Sequence, residues 1–89
     1  MKAIVTVTGK DKTGIIAGVS SELSRFNVNI LDISQTVLQD YFAMIMLVDL
    51  DGCKVSFSDL SDNLCAVGKD MRMDIRIMRE EIFDAMHRI

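Results

Sequence analysis

The stretch Gly9–Ala17 has the residue types best suited to hold a small ligand, because two glycines join a strand-like run to a helix-like run. At a helix start the N–H groups of Gly14, Ile15 and Ile16 are free, and the helix dipole favours a carboxylate by about 0.3–1 kcal/mol. Glycine lets a ligand approach the backbone closely. Asp11 could take an ammonium group. This chemistry suits an α-amino acid, and the alternative is that Asp11 and Gly14 only form the turn and helix cap.

The same loop lacks the residues of a phosphate site or of an enzyme. The outline Gly-x-x-x-x-Gly is followed by Ile15 and Ile16, where a phosphate loop needs Lys and then Ser or Thr. Lys10 and Lys12 would cradle a phosphate only weakly. The sole histidine, His87, lies in the C-terminal tail, so no nucleophile or general base is positioned by the sequence. We therefore expect that the chain is not an enzyme.

Metal binding is not expected either. Cys53, Cys65 and His87 have neither the local spacing of a zinc site nor the Met-x-Cys-x-x-Cys loop of metal chaperones. We expect no metal and no cofactor, and we expect Cys65 to be buried beside the apolar stripe of a helix. Two free thiols suit a reducing compartment, which predicts a cytoplasmic protein.

Length and charge narrow the classes of partner. Residues 1–89 make a single domain, and a chain of this size buries only about 60–65% of its unfolded surface, so a partner chain could add to its core. The net charge of −3 gives no general attraction to nucleic acid or to an anionic membrane. The sequence shows no signal peptide, and no apolar run approaches the roughly 20 residues of a membrane span.

The elements that position the loop are read from hydrophobic spacing. In chain order the pattern predicts a strand over residues 2–8, a helix over 14–26, strands over 28–39 and 42–48, a helix from residue 57, a strand over 71–79 and a short amphipathic tail helix. Asn27 is the expected end of the first helix, and Ser56 the expected cap of the second. The second strand is irregular enough for a bulge near Asp32.

The order β-α-β-β-α-β predicts an α+β, ferredoxin-like fold: a four-stranded antiparallel sheet in the order 4-1-3-2, with two helices on one face and a short C-terminal helix in addition. RNA-recognition modules share this topology, but they need aromatic residues on the central strands, and the third strand has only Phe42.

The third predicted strand, residues 42–48, is apolar at both its odd and its even positions. It is therefore either a short buried helix or a strand covered on both faces. The tail helix, a second subunit or both would then cover the second face. Met44, Met46 and the tail stripe of Ile82, Phe83, Met86 and Ile89 are the candidate subunit contacts, with packing of the tail on its own sheet as the alternative.

These residues carry a family resemblance. The strand and loop over residues 5–17 and the crossover over 26–32 resemble an ACT domain, the small regulatory module that commonly binds amino acids and controls metabolic enzymes. The match in element order covers essentially the whole chain. The sequence is similar to stand-alone ACT proteins of bacteria and archaea, including the repressor-like proteins linked to glycine cleavage.

The resemblance implies a ligand held at a dimer interface, with Asp11 and Gly14 in one wall and Asn29 and Ile30 of a second subunit in the other. The candidate ligand-binding residues are Asp11, Thr13, Gly14, Ile15, Asn29 and Ile30. The expected function is a homodimeric module that senses an amino acid or similar molecule and regulates a metabolic partner or gene expression. The alternative is a ligand-independent module for protein–protein interaction or oligomerisation.

Overall fold

The computed structural model describes residues 1–86, in which seven elements follow in the predicted order. They are β1 (Lys2–Lys10), α1 (Ile15–Arg25), β2 (Asn29–Leu38), β3 (Tyr41–Asp49), α2 (Phe57–Met71), β4 (Asp74–Arg79) and α3 (Glu80–Met86). The α+β, ferredoxin-like fold is therefore confirmed, together with the C-terminal helix. The histidine His87 and Ile89 of the predicted tail stripe lie outside the described residues.

The four strands form one antiparallel sheet in the order β2-β3-β1-β4, as predicted. One face of β1 is fully buried, since Ala3, Val5 and Val7 are 0% exposed. The register between β2 and β3 shifts between Ile30 and Asp32, which confirms the expected bulge. β1 and β3 lie at the centre of the sheet, so their buried faces form the floor of the core.

Both α1 and α2 lie on this buried face and begin where the sequence predicts, but α2 runs through Met71, so the predicted start of the last strand at residue 71 was wrong and β4 begins at Asp74. α1 buries Ile15, Val19 and Leu23, and the chain then turns through Asn27 at φ 61°. That left-handed conformation is one that Asn tolerates at helix ends. α2 begins after Ser56, whose hydroxyl oxygen accepts a hydrogen bond from the Asp59 N–H at 3.1 Å.

The third apolar run is a strand and not a helix, and it has one buried and one exposed face. Met44 and Met46 are 1% and 0% exposed and lie under the helices, so their prediction as subunit contacts was wrong. Ile45 lies on the opposite face and is 47% exposed. Successive side chains of a strand point to opposite faces. When both sets are apolar, as here, the sequence does not show which face is buried.

The face of the sheet opposite α1 and α2, here called the open face, is covered only in part. α3 packs on β1 and β4 of its own chain, and Phe83 lines a cavity with Ile4 and Met78. Ile82 and Met86 on the same helix remain 48% and 65% exposed. The tail helix thus covers one half of this face and leaves the half over β3 and β2 uncovered.

Candidate ligand-binding site

The loop between β1 and α1 is fixed to the rest of the domain at two points. The Asp11 N–H donates a 2.8 Å hydrogen bond to the carbonyl of Asp40 in the β2–β3 turn. The Lys12 ammonium donates to the carbonyl of Met71 at the end of α2, where the negative end of the helix dipole favours a cation. These two contacts hold the loop against the β2–β3 turn and the end of α2.

The first turn of α1 has no side-chain cap. Gly14 is the cap residue at φ 86°, a left-handed conformation that favours glycine, and no side chain accepts a hydrogen bond from the helix start. The first turn also carries no acidic residue. Asp11 therefore does not act as the cap, and no side chain of the described residues accepts a hydrogen bond from the first N–H groups of α1.

A cavity of about 330 Å³ lies in front of this helix start. Asp11 and Gly14 line it from the loop, and Ile15 and Ile16 line it from α1. Gln35 and Val37 of β2 also line the cavity, although the sequence pattern does not predict them there. A sequence pattern can show which face of β2 is apolar, but not that this face lies beside the start of α1.

The other predicted half of the site lies at the far end of β2. Asn29 is the cross-strand partner of Asp49, whereas the loop adjoins the end where Lys10 pairs with Tyr41. Asn29 lines a separate, polar cavity of about 300 Å³ together with Asp49 and Asn27. A strand of this length separates the two ends by roughly 30 Å, so one chain does not bring the two halves together.

Two further predicted residues have other surroundings. Ile30 packs against the hydrophobic core, and Thr13 is exposed on the loop outside the set that lines the cavity. Of the six predicted residues, the cavity at the start of α1 unites Asp11, Gly14 and Ile15.

The cysteines are separate and free. Cys53 is partly buried, but Cys65 is exposed, so its predicted burial was wrong. The buried stripe of α2 runs through Leu60 and Leu64, and Cys65 is one position beyond it on the helix surface. Residues 1–86 hold no cluster of three metal-ligating side chains, and none of their helices is long and apolar enough to cross a membrane.

Comparison with known proteins identifies the family. A family model described as an ACT domain matches residues 2–78. The chain belongs to the ACT domain family. A UPF0237 protein of Clostridium acetobutylicum is 55% identical to this ACT domain over 89 residues, which is 100% of both chains.

Solved structures agree with the fold. An ACT domain protein from Streptococcus pneumoniae is 47% identical and superimposes with a TM-score of 0.83, over 98% of each chain. A protein described as a glycine cleavage system transcriptional repressor superimposes with a TM-score of 0.75 at 19% identity, over 88% of this chain and 44% of that one. The second likeness shows the fold alone. ACT domains are regulatory ligand-binding modules.

Proposed function

We propose that this ACT domain is a homodimeric sensor, which binds an amino acid or similar small zwitterion at the subunit interface and regulates a metabolic partner or gene expression. The observation that carries the proposal is the uncapped start of α1 at Gly14, which opens into a cavity beside the edge strand β2. Free N–H groups at a helix start suit the ligand carboxylate. The nearby Asp11 carboxylate suits its ammonium group.

The edge of β2 supports a second subunit in the site. β2 is ten residues long and pairs with β3 on one side, and within residues 1–86 no strand pairs with its other side. Ile33 and Val37 of this strand are 41% and 50% exposed, although they point to the same face as the helices. A long apolar edge strand is a template for pairing with another chain.

Antiparallel pairing of two β2 strands would join the two predicted half-sites. If the pairing is centred near Ser34, the partner's Asn29 lies opposite Leu38. Leu38 pairs with Tyr41, at the end of the sheet where the Asp11 loop is attached. The partner's Ile30 would then lie opposite Val37, which lines the cavity, and the partner's Asn29 would lie next to it on the open face. This arrangement makes the site depend on the dimer.

A thermal-shift screen against the twenty amino acids tests the sensor. A ligand at 100 times its Kd adds about 2.7 kcal/mol of stability, which raises the Tm of a domain of this size by roughly 10–20 °C. No shift with any amino acid at millimolar concentration would remove the proposal. Light scattering tests the dimer, since a strict monomer at micromolar concentration is incompatible with an interfacial site.

Matched substitutions then locate the ligand. Asp11→Ala and Asn29→Ala should each weaken binding without a large loss of stability, because both side chains are exposed. Asp62→Ala, an exposed acid in the middle of α2, removes the same charge far from the cavity and should leave binding unchanged. Unchanged affinity in both site variants would place the ligand elsewhere on the domain.

The second candidate is a ligand-independent interaction module. The exposed apolar side chains of the open face, Ile45 and Ile82, favour it. A domain that binds a partner protein but shifts with no small molecule would support this role. In neither role do we assign catalysis to the chain, and the two free thiols favour a cytoplasmic location.

A further inference from the structure

A second cavity, separate from the one at the start of α1, lies between α3 and the open face of the sheet. Its volume is about 290 Å³, close to the lower limit of cavities that bind small molecules. Three strands and α3 contribute to its lining, which consists of Ile4, Thr6, Ile45, Arg76, Met78 and Phe83. None of these residues lines the cavity at the start of α1, so the two cavities are independent sites.

Two neighbouring rows of paired residues form the floor of this cavity. Thr6 of β1 pairs with Ile45 of β3 on one side and with Arg76 of β4 on the other. Ile4 pairs with Met78, and it lies on the same face as Thr6 because the two are two positions apart in the strand. The floor is therefore apolar, except at the end where the Thr6 hydroxyl adjoins Arg76.

The short helix α3 forms the roof of the cavity. Within Glu80–Met86 no residue is fully buried, and Phe83 is the one apolar residue of this helix that is half-buried. Ile82 and Met86 are exposed. Seven residues are too few for a helix that is stable alone, so α3 depends on the packing of Phe83 over the sheet. A ligand beneath Phe83 would add contacts to this roof.

The charge of the cavity comes from Arg76, the one charged residue that lines it among residues 1–86. The Arg76 Nε–H donates to the two carboxylate oxygens of Asp74, both at 3.2 Å. The two terminal NH2 groups of the guanidinium have no acceptor among the same residues, and their geometry matches a carboxylate. The lining thus offers a cation and apolar walls, but no carboxylate for an ammonium group.

We propose that this cavity binds a small apolar monocarboxylate, with its carboxylate on Arg76 and Thr6 and its tail against Ile4. The Thr6 hydroxyl can donate a second hydrogen bond to the carboxylate. An amino acid is disfavoured, because its ammonium group would lose water against apolar walls without gaining a partner. The ligand class therefore differs from the zwitterion proposed for the cavity at α1, and either proposal can fail without the other.

Calorimetric titration with octanoate tests the selection by charge. Binding should saturate with a Kd of roughly 1 mM or lower for a ligand of this size. Octylammonium has the same tail and the opposite charge, and it should bind at least about tenfold more weakly, because its charge would lie beside the Arg76 guanidinium. Equal Kd values for the two compounds, or no saturation at millimolar octanoate, would overturn the proposal.

Two variants with matched controls locate the carboxylate and the tail. Arg76→Gln should raise the octanoate Kd about fivefold or more, whereas Arg25→Gln removes the same charge from an exposed position of α1 and should leave the Kd unchanged. Ile45→Glu places a carboxylate in the cavity and should abolish binding, whereas Ala66→Glu adds it on the exposed side of α2 and should not. Circular dichroism verifies that all four variants fold. Equal effects within either pair would overturn the proposal.

Hydrogen exchange shows where octanoate binds. Octanoate should slow amide exchange in α3, because it adds contacts beneath Phe83. Slowing at Ile15 and Ile16 in place of α3 would assign octanoate to the cavity at the start of α1 and would overturn the proposal. The alternative occupant of the cavity is a second copy of the chain. An octanoate Kd that rises with protein concentration would assign the cavity to that copy and would equally overturn the proposal.

Discussion

The two longer helices, α1 and α2, begin in opposite ways, although both follow a strand and lie in the same layer. At α2 the chain supplies its own cap, because Ser56 accepts from the Asp59 N–H and Asp59 places a negative charge in the first turn. At α1 the cap residue is Gly14, no side chain accepts, and the first turn has no acid. The positive end of α2 thus faces an acceptor and a carboxylate of its own chain, whereas the described residues place neither at the start of α1.

The two helices also differ in how much room an added side chain would find at an internal glycine. A Cβ at Gly68 of α2 would lie 2.7 Å from the carbonyl oxygen of Met73, which belongs to the backbone entering β4. A Cβ at Gly18 of α1 would lie 2.9 Å from the sulfur of Met71, the end of a flexible side chain. α2 is thus packed against fixed backbone, and α1 against a group that can move.

The largest expected loss of stability follows from the comparison of Gly68 with Gly18. Gly68→Ala should destabilise the domain by about 2–3 kcal/mol, because overpacking against backbone forces the helix away from β4. Chemical denaturation measures the loss, and a thermal melt should fall by roughly 10–20 °C.

Gly18→Ala is the matched control. The gain in helix propensity of up to about 1 kcal/mol offsets the displacement of the Met71 side chain, so the net change should be close to zero. Equal losses for the two variants would contradict the difference in packing between the helices.

The next effect concerns the uncapped start of α1. Gly14→Ala should cost about 1–2 kcal/mol, since a Cβ is unfavourable in the left-handed region and no atom within 4 Å would clash with it. Gly14→Asn should cost less, because Asn tolerates this conformation. Denaturation of the two variants provides the comparison, and an equal cost would contradict the left-handed conformation as the cause of the loss.

Most of the fold could be predicted from the sequence because its signals are local. The end of α1 at Asn27 and the cap at Ser56 depend on residues within a few positions, and both are confirmed. The strand order follows from general rules of connection. The faces of β3 could not be predicted, since Met44 and Ile45 are both apolar and only the register with β1 shows which is buried.

The candidate site could be predicted only in its local part. Gly14 and Asp11 are recognisable because the strand-to-helix joint itself creates the free N–H groups. Gln35 and Val37 could not be found, because their position beside α1 depends on how β2 is placed across the sheet. The pairing of Asn29 with the loop of a second chain depends on an interface, and it stays a prediction.

A smaller effect tests the capped start of α2. Ser56→Ala should destabilise the domain by about 1 kcal/mol, because the Asp59 N–H loses its acceptor. Ser56→Asp should restore most of the loss, since Asp is an equally good cap. Ser21→Ala, at an exposed position of α1, serves as control and should change stability by less than about 0.5 kcal/mol. A loss at Ser21 as large as that at Ser56 would mean that the cap contributes nothing specific.

The smallest effect concerns the loop that leads into α2. The Met1 carbonyl accepts a 2.8 Å hydrogen bond from the Leu50 N–H, and the Met1 amine forms an ion pair with Asp51. The hydrogen bond to Asp51 raises the pKa of this amine above its ordinary value of 8.0. A group whose pKa is raised on folding contributes stability that is complete below its unfolded pKa and is lost as the pH rises through the folded value.

For protein with a free amine at Met1, stability should therefore fall more steeply above pH 8 in the wild type than in Asp51→Asn. The difference should be small, because both partners are exposed to solvent, at 46% and 74% of their side-chain surface. Thermal melts between pH 7 and about 10 measure it, and comparison of the two proteins cancels every other group that titrates in that range. The loop before α1 is held differently, by Lys12 on the Met71 carbonyl and by the Asp11 N–H on the backbone carbonyl of Asp40. Asp40→Asn keeps that carbonyl, so it should leave the pH profile above 8 unchanged. Parallel profiles for the wild type and Asp51→Asn would show that the amine adds nothing to the stability of the loop before α2.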